Sequence, residues 1–158
     1  MRKDFAFSAS LLLALLAIVA VSCNSVTDHK SWKKIENHEF SFLLPPSFRK
    51  TDTQGIDSFV EEYVSDGINL SFDLGMYSNN FYDWPKETKY ESLKIDGKPA
   101  KLGTAVFGSR TNFPILTQVY INLGRPYALS MHAACKSDKE VVLARKIFGT
   151  ITFKKQKT

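Results

Sequence analysis

From residue 38 onward, hydrophobic and polar positions alternate with a period of two over most of the chain. That period places successive side chains on opposite faces of a β-strand. In "HEFSFLLPPSFRK" the apolar set is Phe40, Phe42 and Leu44, and Pro45-Pro46 ends the strand because proline cannot continue the ladder. Phe59-Val60-Glu61-Glu62-Tyr63-Val64 is β-branched and aromatic, and Asp66-Gly67 follows it as a two-residue hairpin signal. Beyond that turn, Ile68, Leu70, Phe72, Leu74 and Met76 fall on one face and Asn69, Ser71 and Asp73 on the other. This is the pattern of a half-buried antiparallel strand. The device repeats at Asp96-Gly97, with Pro99 early in the second strand, and again at Gly124-Arg125-Pro126.

The period changes once, near the C-terminus. Ser137 and Glu140 have capping-box spacing, and Val141, Ala144, Ile147 and Phe148 form a helical stripe. Gly149 suits the stop, and residues 150–153 read as a closing strand. Residues 78–90, "SNNFYDWPKETKY", fit a loop or one or two helical turns. The sum is an α+β domain built on an antiparallel sheet.

The N-terminus follows a different grammar. Arg2 and Lys3 precede an uncharged stretch, 5–21, and the small residues Ala20 and Ser22 flank Val21 just before Cys23. A positive end, an apolar core and a small-residue cut site describe a bacterial secretory signal. The stretch is a little short for a comfortable bilayer span, with an uncleaved span as the alternative. Ala20-Val21-Ser22-Cys23 resembles the lipobox of bacterial lipoproteins, in which the cysteine becomes the acylated first residue of the mature chain. The lipobox usually has Leu where this chain has Ala20, and an ordinary secretory cut before the same Cys23 is the competing reading. The expected organisation is a lipoprotein signal over 1–22, a tether over 23–37 and one domain over 38–158. Acylation, palmitate included, would anchor the protein in the cell membrane or outer membrane, facing the periplasm or the cell exterior.

Charge and cysteine usage narrow the field. The formal charge is +5, from 21 basic and 16 acidic residues. The excess lies at the two ends, in Lys30, Lys33 and Lys34 and in Lys154, Lys155 and Lys157. Between residues 35 and 153 acidic residues outnumber basic ones by one, which argues against a nucleic-acid-binding face. The lysines after the anchor read as solvated, or as contacts to anionic lipid head groups. Cys23 and Cys135 are the two cysteines, so no disulfide framework is expected, and Cys135 reads as a small buried hydrophobe.

The "FSFLLP" opening, the "IDGKPA" turn and the closing "VLARKIFGTITF" resemble the PsbP-like superfamily over about residues 38–154. That group includes the extrinsic photosystem II protein, DcrB-type bacterial lipoproteins and a eukaryotic nuclear-transport factor. The resemblance implies an antiparallel sheet flanked by helices, an α-β-α sandwich, and a binding or assembly role exercised through an envelope protein partner. Many members carry a longer helix where this chain has 78–90.

Catalytic chemistry finds little footing. His29 lies in the tether and His38 at the domain's edge. Ser130 and His132 share a strand face and form the one conceivable nucleophile–base pair, the basis of an alternative reading as a small envelope hydrolase. Glu61 and Glu62 are adjacent on a strand and so point to opposite faces. No HExxH, CxxC, EF-hand or glycine-rich phosphate loop occurs, and neither metal nor cofactor is expected. The stretch expected to meet a partner is "NNFYDWP", where Phe81, Tyr82 and Trp84 concentrate aromatic surface, bracketed by Tyr77 and Tyr90. The competing role for these rings is to fold back over apolar sheet surface.

Overall fold

The computed structural model describes residues 29–53, 55, 58–108, 111–124 and 127–155. The expected signal segment and Cys23 lie outside the described residues. Seven strands form one antiparallel sheet: β3 (Arg49–Lys50), β4 (Phe59–Val64), β5 (Ile68–Gly75), β6 (Lys89–Ile95), β7 (Lys98–Val106), β8 (Ile115–Asn122) and β9 (Ala128–Cys135). Their spatial order is β3-β4-β5-β9-β8-β7-β6. A second sheet pairs β1 (Lys33–Glu36) with β2 (Phe40–Leu44) and β2 with β10 (Thr152–Phe153). Helix α1 spans Asp138–Phe148.

The register follows the alternation in the sequence. In β5, Ile68, Leu70, Phe72 and Leu74 are buried, while Asn69, Ser71 and Asp73 point to the other face. Phe40 and Phe42 reach across from the small sheet to meet the Phe72 ring edge-on, at 5.1 and 6.0 Å between centroids. Val141, Ala144, Ile147 and Phe148 bury the predicted stripe of α1 beside them. The core therefore lies between one face of the large sheet and a layer made of α1 plus the small sheet.

Several sequence expectations change. Among the described residues α1 is the one α-helix, so the domain is mostly antiparallel sheet with a single C-terminal helix. The opposite face of the large sheet is crossed by residues 76–88 and, among the described residues, carries no flanking helix. The folded body begins inside the expected tether, since Lys33–Glu36 pair with β2. The closing strand joins that small sheet and not the large one, because Gly149 and Thr150 carry the chain back under α1 to Ser41 and Phe40. Met76 lies past the end of β5 and is exposed. Ser137 and Glu140 bond to each other through their side chains, and the Ser137 hydroxyl makes no cap bond to the helix. Gly149 is right-handed, with φ −65°.

The two Asp-Gly turns differ as well. Asp96 and Gly97 take φ of +48° and +76°, the left-handed pair that a tight hairpin turn requires. Gly67 has no such φ. A Cβ there would stand 2.7 Å from Glu140 Cγ, so that glycine serves the close approach of α1.

Candidate functional site

The outer face of the large sheet is where the aromatic segment and the histidine meet. Cross-strand register lines up Glu62, Ser71, His132, Gln118 and Gly103 in one row over five neighbouring strands. Residues 76–88 run over this face as a strap. Ser78 fixes its start: the hydroxyl accepts from the Gly75 N–H at 3.1 Å and lies 3.0 Å from the carbonyl oxygens of Asp73 and Ala128. Next, Gln118 Nε2 donates to the Asn79 carbonyl at 2.7 Å, and the Phe81 N–H donates to Asn79 Oδ1 at 2.7 Å.

Phe81 is the centre of the strap. Its φ of +77° is costly for a residue with a large side chain, and packing holds it there. The ring lies on the bare backbone of Gly103, where a Cβ would come within 2.5 Å of Phe81 Cε1. Trp84 meets Phe81 edge-on at 4.9 Å, Tyr90 does so at 5.4 Å, and Phe107 extends the cluster from Trp84 at 6.1 Å. The Lys101 ammonium lies 4.0 Å from the Tyr90 ring centroid and 5.0 Å from that of Phe81. Such cation–π contacts hold a charged stem against the rings.

The three aromatics singled out in the sequence thus divide. Phe81 is buried and serves the seat on the sheet. Tyr82 is 83% exposed and Trp84 is half-buried, so these two present surface. Tyr77 is exposed as well.

His132 and Ser130 share the outer face, as the alternation requires, yet no hydrogen bond joins them. His132 Nε2 lies 2.7 Å from the hydroxyl of Ser71 on the neighbouring strand, and Ser130 is buried between Asp73 and Tyr120. Burial lowers the His132 pKa, with Glu62 and Asp73 pulling the other way, so the imidazole is neutral at pH 7. Glu62 is held by the hydroxyls of Thr51 and Thr53, at 3.0 and 2.9 Å, which leaves the row without an acid hydrogen-bonded to the imidazole. Glu61 points inward, to the Lys50 ammonium and the Tyr63 hydroxyl. Cys135 is buried, and its thiol is pushed up to about 12, which makes it inert. Among the described residues no group of three or more His, Cys, Asp or Glu side chains gathers as a metal site.

Sequence reasoning missed Ser71, Ser78, Gln118 and Lys101, whose roles depend on cross-strand register. It passed over Gly103, although a glycine inside a strand is a recognised sign of close approach.

The chain matches no protein-family profile and no curated protein by sequence. Its fold has solved counterparts. The solution structure of cyanobacterial PsbP (CyanoP) from Synechocystis sp. PCC 6803 is similar with a TM-score of 0.60 and 14% identity, covering 84% of this chain and 98% of that one. A crystal structure from Bacteroides thetaiotaomicron VPI-5482 aligns with a TM-score of 0.47 and 14% identity, covering 74% of this chain and 46% of that one. The architecture is therefore a PsbP-like α+β fold.

Proposed function

We propose that this protein is a non-catalytic binding or assembly module of the bacterial cell envelope, tethered to the cell membrane or outer membrane through an acylated Cys23. The observation that carries the binding role is the strap. Tyr82 and Trp84 stand on a segment immobilised by Ser78, Gln118 and the Phe81–Gly103 seat. Rigid, partly exposed aromatics lose little entropy on binding and are over-represented among hot spots. The hydrolase reading loses its pair, because His132 bonds Ser71 and Ser130 is buried.

The nine residues between Cys23 and Trp32, Trp32 included, can extend about 30 Å at most, which keeps the domain close to the bilayer. Of the lysines near the tether, Lys34 meets Glu36 at 2.8 Å, and Lys154 meets the same carboxylate at 2.9 Å. These two ammoniums hold the Glu36 carboxyl down at about 2 and serve the domain's own edge.

The test is capture from native membranes by the full-length protein, followed by mass spectrometry. The Tyr82→Ala, Trp84→Ala double variant should fold, with a modest drop in unfolding temperature from the lost Trp84–Phe81 contact, and recover much less of the co-purifying partner. Losing a desolvated hot-spot ring costs about 2 kcal/mol or more. Val142→Ala, on the exposed side of α1, should capture normally. Unchanged capture by the double variant would move the binding face elsewhere.

A further inference from the structure

The two edges of the large sheet are unequal. The β3 edge is two residues long, whereas the β6 edge is a regular strand of seven, Lys89–Ile95. β6 pairs with β7 along its whole length without a bulge, and among the described residues no strand pairs with its far side. A long open edge is a template for another strand.

The turn at Asp96-Gly97 fixes which backbone groups are left over. A two-residue hairpin turn of this left-handed kind closes on a hydrogen-bonded pair, here Ile95 and Lys98. Such pairs recur at every second residue of an antiparallel ladder. Lys89, Glu91, Leu93 and Ile95 therefore turn their backbone groups to β7, while Tyr90, Ser92 and Lys94 turn their N–H and C=O groups outward. Among the described residues no backbone hydrogen bond engages those outward groups, and the three side chains are exposed.

We propose that β6 pairs with β6 of a second copy of this chain, antiparallel and centred on Ser92. The two-fold axis of such a pair runs perpendicular to the sheet, so the residue at the axis faces itself. Centred on Ser92, the ladder sets Ser92 against Ser92 and Tyr90 against Lys94 of the second copy, and every outward group is bonded. Moving the axis to Glu91 or to Leu93 leaves Lys94 or Tyr90 with no strand residue opposite, and at Glu91 it also sets two carboxylates face to face. Charged residues ordinarily discourage pairing at an edge. In this register Lys89 faces Ile95, Lys94 faces Tyr90 and Glu91 faces Leu93, so no charge directly faces another. Glu91 is held from its own α1, bidentate to Arg145 at 2.5 and 2.7 Å. The axis keeps α1 and the small sheet of both copies on one side of the joined sheet, so both N-terminal segments leave from the same layer. That geometry suits two chains anchored in one bilayer, but the pairing rests neither on the anchor nor on the strap.

The test uses the purified mature chain carrying Cys23→Ser, so that acylation plays no part, and Cys135 is buried. Its sedimentation velocity should show monomer passing to dimer as concentration rises. Under mild oxidation, Ser92→Cys in this background should form a disulfide-linked dimer. The Cα atoms of a hydrogen-bonded antiparallel pair lie about 5.5 Å apart, within disulfide reach. Leu93→Cys and Lys94→Cys should link far less, because each faces a different residue of the second copy. Ser92→Lys sets two ammoniums at the axis and should weaken dimerisation about fivefold. Its unfolding temperature should stay that of the parent, since the side chain is exposed. A chain that stays monomeric, dimerisation indifferent to Ser92→Lys, or linkage at Leu93 or Lys94 as efficient as at Ser92 would each overturn the proposal.

Discussion

Truncating Phe72 to alanine is expected to destabilise the domain by about 3–5 kcal/mol, the range for a buried aromatic whose cavity cannot collapse. The ring has no solvent exposure and sits mid-strand in β5. It meets Phe40 at 5.1 Å, Phe59 at 5.6 Å and Phe42 at 6.0 Å, so both sheets lose contacts at once. Against a typical total stability of about 5–15 kcal/mol, that loss leaves a marginal protein. Ser71→Ala, one residue earlier and on the outer face, removes the hydroxyl that meets His132 Nε2 at 2.7 Å. It should cost about 1 kcal/mol, the net worth of one hydrogen bond. Urea unfolding of both variants measures the contrast. Equal costs at the two positions would mean that β5 is shifted by one residue.

The second large effect is expected at Gly103. An alanine there places Cβ 2.5 Å from Phe81 Cε1 and 3.2 Å from Tyr90 Cε1, so the strap ring must leave its seat. Overpacking of this kind costs about 1–3 kcal/mol. Because the severe conflict is with the Phe81 ring, most of the cost should vanish with that ring. In a Phe81→Ala background, Gly103→Ala should be close to neutral, giving a coupling of about 0.5–3 kcal/mol in the double-mutant cycle. Trp84 fluorescence reports the same event, since Trp84 packs on Phe81 at 4.9 Å. An equal cost in both backgrounds would show that Phe81 does not rest on Gly103.

These two positions also mark how far the sequence could be read. Phe72 was legible because a strand with one buried face writes its register as alternation, and the same logic located β2, β4 and the stripe on α1. Local rules give no account of partners distant in sequence. Nothing in "TITF" says whether it closes the large sheet or pairs with Phe40 and Ser41 in a second one. Ser130 and His132 were correctly placed on one face, but strand spacing keeps such a pair apart while the neighbouring strand brings Ser71 to the imidazole. The strap was legible as an aromatic cluster without regular structure. Which ring turns inward was decided by Gly103, on a strand more than twenty residues away.

The tether is the claim on which the envelope role depends, and Cys23 decides it. Metabolic labelling of the native host with a clickable fatty acid, followed by gel analysis of the purified protein, reads the modification directly. Cys135 cannot substitute as acceptor, being buried with its thiol pushed up to about 12. Wild type should carry the label and sediment with membranes, whereas Cys23→Ala should carry none and leave the membrane fraction. An unlabelled wild-type protein that fractionates as soluble would contradict the account.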